Sequence, residues 1–121
     1  MTAERKTKSR IHIIDLEAGK PSVHEALAHL DFQLANARRQ GRSLLKLIHG
    51  YGSTGAGGDI RIAIQKRLHE LERSGTIRRS IFGEDWGTSN AHTWELLKAQ
   101  PALKQDPDLG RRNLGITIVL L

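Results

Sequence analysis

The sequence predicts an α/β fold, a two-layer sandwich in which a mixed four-stranded sheet carries two main helices on one face, in the order βαβαββ. Three observations predict it. Residues 11–16, 43–49 and 116–121 are short aliphatic runs without helical periodicity, as buried strands are. The stretches after the first two runs repeat apolar residues every three or four positions, the spacing of amphipathic helices. Residues 76–82, "TIRRSIF", alternate apolar and polar side chains, as a half-buried strand does. A strand–helix–strand crossover is almost always right-handed, so both helices are expected on the same face.

Taken in order, "IHIIDL" (11–16) is rich in β-branched residues and is broken by "EAGKP". From Val23 the stripe Val23, Leu27, Leu30 and Leu34 defines the first helix. Ser22 with Glu25 fits a capping box at its start, and "RRQG" (38–41) supplies cations and a glycine at its end. "SLLKLIH" (43–49) is nearly continuous in aliphatics, which predicts a central strand covered on both sides. Ile60, Ile64, Leu68 and Leu71 form the second stripe, with Asp59 where a cap or first-turn acid belongs. In the long piece 83–112, "NAHTWELLKAQP" predicts a short helix halted before Pro101. Trp86 and Trp94 are expected to pin this piece to the core. Residues 1–10 read as a flexible basic tail, and 11–121 as one domain with an insertion at about 83–112.

Composition narrows the function classes. With 121 residues and 38% apolar content, the chain can form one modest core, built mainly from Ile, Leu, Val and Ala because only five residues are aromatic. Nineteen Lys and Arg against thirteen Asp and Glu give a formal charge of +6, which favours a polyanionic partner such as nucleic acid. The absence of cysteine excludes disulfides, thiolate zinc sites and cysteine nucleophiles together. No apolar run is long enough to span a bilayer, so the expectation is a cytoplasmic protein without membrane contact.

The most unusual stretch is "LIHGYGSTGAGGDIR" (47–61), with five glycines between a strand and a helix. Such a loop presents free backbone N–H groups and the positive end of a helix dipole, a geometry suited to phosphate. Gly50 to Gly55 spell G-x-G-x-x-G, yet no acid ends a following strand about 20 residues on, so the dinucleotide reading fails. The Walker A pattern fails too, because Ala56 and Gly57 stand where lysine and Ser or Thr are needed.

The same stretch resembles the H-G-x-G signature of the Smr (small MutS-related) domain, and "IIDLEAG" (13–19) sits where that family has L-D-x-H or L-D-x-R. The closing "NLGITIVLL" is similar to the family's last strand. The resemblance runs from about residue 11 to the end. It implies a fold like the C-terminal domain of bacterial translation initiation factor three, and nucleic acid as partner. It also implies, for several members, nicking of DNA or cleavage of RNA, with roles in DNA repair or at stalled ribosomes. Two departures stand out: Glu17 replaces the family's basic residue, and the glycine loop is longer before it reaches Ile60-Arg61.

The candidate site residues follow. Asp15 and His49, each near the end of a strand, are expected on one rim if those strands are neighbours. There a carboxylate could orient an imidazole as general base, or Asp15, His49 and Glu17 could hold Mg²⁺ or Mn²⁺ for phosphodiester cleavage. The alternative is structural, with Asp15 accepting bonds from loop N–H groups and His49 capping a strand. Gly50, Gly52, Gly57 and Gly58 would cradle a phosphate, with Arg61 facing it from the first turn of the second helix. Arg38, Arg39, Arg42, Arg78 and Arg79, together with Lys46, Arg111 and Arg112, would form a basic track. His12, His24, His29, His69 and His92 show no metal-ligand spacing. The expected partner is RNA or branched DNA, and the alternative to an enzyme is a non-catalytic nucleic-acid- or ribosome-binding adaptor.

Overall fold

The computed structural model describes residues 11–51 and 56–121. Four strands, β1 (His12–Asp15), β2 (Leu44–Ile48), β3 (Arg79–Phe82) and β4 (Ile116–Leu120), form one sheet in the order β1-β2-β4-β3. The helices are α1 (Val23–Arg39), α2 (Ala56–Arg73) and α3 (Ala91–Ala99). β1 and β2 are parallel, with Asp15 opposite Ile48, and β4 runs antiparallel to both β2 and β3. This is the predicted mixed sheet, with β2 central as its aliphatic run required.

Local chemistry accounts for the helix limits. Ser22 Oγ accepts from the Glu25 N–H at 3.1 Å while the Ser22 N–H donates to Glu25 Oε1 at 2.9 Å, so the capping box is complete. α1 ends in Arg38 and Arg39, whose charges favour a helix C-terminus, and Gly41 then adopts a positive φ of 73°. Asn90 caps α3 by accepting from the His92 and Thr93 N–H groups, and Pro101 opens a separate 3-10 turn.

Strand periodicity divides the core into two layers. Leu45 and Leu47 of β2 and Val119 of β4 face α1 and α2, where they pack with Ile14, Leu30, Leu34, Ile60, Ile64 and Leu68. Leu44 of β2 and Ile116 and Ile118 of β4 point the other way and pack with Ile81, Trp86, Leu96, Leu97 and Leu103. The second face of the sheet is thus covered by the 83–115 segment. Trp86 anchors that segment at 1% exposure, whereas Trp94, expected to help, is 47% exposed and carries Lys98 over its ring. α3 buries only the stripe Thr93, Leu96 and Leu97, and Trp94 falls off it.

A charge lies inside this second layer. Lys46, in the middle of β2, is 3% exposed. Its Nζ donates to both Asp106 oxygens, at 2.9 and 3.1 Å, and pairs with Asp108. Asp106 also accepts from Trp86 Nε1 at 2.9 Å and from the Asp108 N–H at 3.1 Å. The expected place of Lys46 in a surface track is therefore corrected: even alternation from Leu44 puts it under the 83–115 segment. Burial disfavours its charge, but the two carboxylates outweigh this and raise its pKa.

Close backbone approach also fixes the segment. A Cβ on Gly83 would lie 1.7 Å from the Asn113 carbonyl oxygen, so only glycine fits at the end of β3.

Removing Lys46 leaves the nearly buried Asp106 and the partly exposed Asp108 without their cation. Lys46→Met is expected to lower unfolding free energy by about 3–5 kcal/mol, measured by urea denaturation at neutral pH. A loss below about 1 kcal/mol would show that the cluster is well solvated.

Candidate functional site

Because β1 and β2 are parallel neighbours, their C-terminal ends share a rim with the starts of β4 and α2. Asp15, His49, Gly50, Gly58 and Arg61 all belong to this rim. Gly52 lies outside the described residues. Gly57 is the second residue of α2, and Gly58 follows it in the first turn with open space where a Cβ would stand.

The rim does not bring Asp15 to His49. Asp15 is in register with Ile48, so alternation sends the Asp15 and His49 side chains to opposite faces of the sheet. Asp15 Oδ1 accepts from the Glu17 and Ala18 N–H groups at 2.9 and 3.1 Å, closing the turn that ends β1. The Glu17 carboxylate lies across Gly50: a Cβ on that glycine would stand 2.5 Å from Glu17 Oε1. The exposed Glu17 side chain could swing aside, but Gly50 has φ of +75°, which itself favours glycine.

His49 is fully buried. Its Nδ1 is 2.7 Å from the Gly50 carbonyl oxygen, which can only accept, so Nδ1 bears the proton. Nε2 then accepts from the Thr117 hydroxyl at 2.9 Å. Both ring nitrogens are engaged. Burial pushes the His49 pKa down, helped by the Arg61 charge and opposed by the Gly50 carbonyl and by Glu84. Arg61 bridges to Glu84 at 3.4 Å, and its Nε has no partner among the described residues. Sequence reasoning missed both Thr117, 68 residues from His49 and bonded to its ring, and Glu84, 35 residues away, which pairs with Arg61 and acts on the imidazole through its charge.

The loop after His49 is tied to the start of β4. The His49 and Gly50 N–H groups both donate to the Gly115 carbonyl, at 2.9 and 3.1 Å. Gly115 is held in turn by Asn113, whose Oδ1 accepts its N–H at 2.8 Å and whose Nδ2 donates to Asp108 at 3.0 Å. Lys46, Asp108, Asn113 and Gly115 thus form a polar chain from the second layer to the rim.

The residues do not fit a divalent metal. Among the described residues no three His, Asp or Glu side chains converge, and Asp15 and His49 already have other partners.

The arginines separate into two places. Arg61 is at the rim, paired to an acid. Leu44, Leu120 and Arg79 share one row at the opposite end of the sheet, with Arg78 donating its N–H to Leu120. Arg38 donates to the Thr76 carbonyl, Arg39 to Asn36 and Arg42 to Gln40, partners that leave their charges uncancelled. Arg79 contacts His92 at 2.9 Å. None of these five arginines is in an ion pair among the described residues. Across five residues of β2 the two ends stand about 13–15 Å apart.

A mixed sheet with two long helices on one face, and a glycine-rich strand-to-helix loop on its rim, defines a small α/β domain of one class. Over 91% of its length the chain is similar to the Smr domain of Thermus thermophilus MutS2 in its crystal structure, covering 96% of that chain with a TM-score of 0.56 and 26% identity. The chain is an Smr-like domain. No protein-family model and no curated protein matches its sequence. No helix among the described residues is long and apolar enough to cross a membrane.

A buried neutral His49 makes stability depend on pH. Its folded pKa is lowered, so the unfolded chain binds the extra proton. Stability is present in full above the unfolded value of about 6.5 and falls as pH drops from there towards the folded value. Urea midpoints between pH 8 and pH 5 should therefore decline more steeply for the wild type than for His49→Gln. Parallel profiles would mean that His49 protonates without cost.

Proposed function

We propose that this domain binds the phosphate backbone of nucleic acid, RNA or branched DNA, without cleaving it through Asp15 and His49. The observation that carries the reading is the state of His49: neutral, buried and bonded at both nitrogens, it has no free lone pair for a proton. Its place is to lock Gly50 onto β4. The rim also carries Asp15, Glu17, Asp59 and Glu84 against Arg61, and such a balance repels a scissile phosphate.

Support for binding comes from the formal charge of +6, the likeness to an Smr domain, and the basic end of the sheet. There Arg38, Arg39, Arg42, Arg78 and Arg79 offer uncancelled charge at the ends of α1, β2 and β3. Such contacts hold a backbone without reading sequence. An adaptor that brings a partner to RNA, on the ribosome or elsewhere, is the role this chemistry suits.

The test incubates the protein with labelled single-stranded RNA, a hairpin RNA, a four-way DNA junction and supercoiled plasmid, with and without Mg²⁺ or Mn²⁺. Binding that weakens steeply with salt and leaves every substrate intact is expected. Arg78→Gln with Arg79→Gln should flatten the log–log salt slope on single strands by roughly 1–1.5 units. Cleavage that Asp15→Asn abolishes would overturn the non-catalytic reading.

A further inference from the structure

We propose that Tyr51, Arg111 and Arg112 form a second, base-stacking subsite for an unpaired nucleotide, beside the rim and on the face covered by the 83–115 segment. The inference rests on the nucleic-acid reading above and deepens it, since it selects single strands over duplex.

Three observations carry it. Tyr51 follows Gly50 and is 56% exposed, although a ring of that size loses free energy by standing in water. A Cβ built on Gly115 would stand 3.4 Å from Tyr51 Cδ1, so one edge of the ring lies close to the Gly115 backbone, which the bonds from His49 and Gly50 to the Gly115 carbonyl fix. A ring that borders a fixed backbone at one edge and is otherwise open is a stacking platform for any base.

Next, Tyr51 shares an open groove with Arg111, Arg112, Asn113 and Leu114. Asp108, also on its wall, shares Lys46 with Asp106 and is further stabilised by the Arg111 charge, and neither arginine is in an ion pair among the described residues. Two cations beside an exposed ring match a base with its flanking phosphates.

Finally, Arg112 has φ of +54°, a left-handed conformation that costs a non-glycine residue about 1 kcal/mol or more and is concentrated at ligand-binding positions. Leu114 is exposed and lines the same groove. The basic end of the sheet has the charge but no Phe, Tyr or Trp: the groove beside Arg78 and Arg79 is lined by Ser43, His92, Glu95, Gln100 and aliphatics.

Fluorescence anisotropy at fixed salt tests the subsite with a labelled single-stranded 15-mer of RNA, its DNA counterpart, an abasic DNA strand of equal length, and a 15-base-pair duplex. Tyr51→Ala should weaken binding to both base-bearing single strands about tenfold. It should leave the abasic strand and the duplex within about twofold, and Tyr51→Phe should restore wild-type affinity. Arg112→Gln should lower the salt slope on single strands by about 0.7. Thermal melts of the variants, all at exposed positions, confirm folding. Unchanged single-strand affinity in Tyr51→Ala overturns the subsite while leaving the general reading intact. Failure of the wild type to bind any of the four overturns both.

Discussion

The arrangement depends on a lysine buried in the central strand. Lys46 lies beneath the 83–115 segment with Asp106 and Asp108 closed around its ammonium group. A buried ion pair is often no more stabilising than a well-packed apolar pair. Its stronger consequence is positional, because a buried charge tolerates only the one register of the covering segment that brings both carboxylates to it. Trp86, bonded to the same Asp106, fixes where the segment begins to cross the sheet. Asn113, bonded to Asp108, fixes where it returns. The glycine at 83 lets the two ends pass at backbone distance.

The rim inherits its geometry from that register. Gly115 follows Asn113 by two residues, and its carbonyl receives both N–H groups of the His49–Gly50 turn. Thr117, two residues further, meets the His49 ring on the helix-bearing face of the sheet. The histidine of the H-G motif is thus a structural bolt between β2 and β4. A neutral imidazole suits this place, since it can donate from one nitrogen and accept at the other, and protonation would destroy the acceptor. Burial and the Arg61 charge both favour that neutral form.

Charge is segregated along the strands. Carboxylates gather at the rim, where Arg61 is paired, while unpaired arginines gather where α1 ends and where β2 and β3 begin. The C-terminal dipole of α1 favours cations at that end. Next to the rim, Arg111 and Arg112 of the covering segment line a groove with Tyr51.

The elements were legible in the sequence because each is written in local terms. The stripe from Val23 to Leu34, the Ser22–Glu25 box and the aliphatic run at 43–49 state their own periodicity, so α1 and β2 could be read without knowing their neighbours. The stripe from Ile60 and the run at 116–121 were equally plain, and the H-G-Y-G and I-D-L-E stretches pointed to one rim. Lys46, Trp94 and the acids around them were not legible, because in sequence a lysine in a strand looks like a surface cation and a tryptophan like an anchor. Only the pairing of β1, β2 and β4 decided that Asp15 and His49 would face apart, that Thr117 would meet the imidazole, and that Lys46 would lie inside. The reason is physical: periodicity is a property of neighbouring residues, whereas burial of a charge or a ring nitrogen depends on partners 60 or more residues away, which the chain acquires only when the sheet closes.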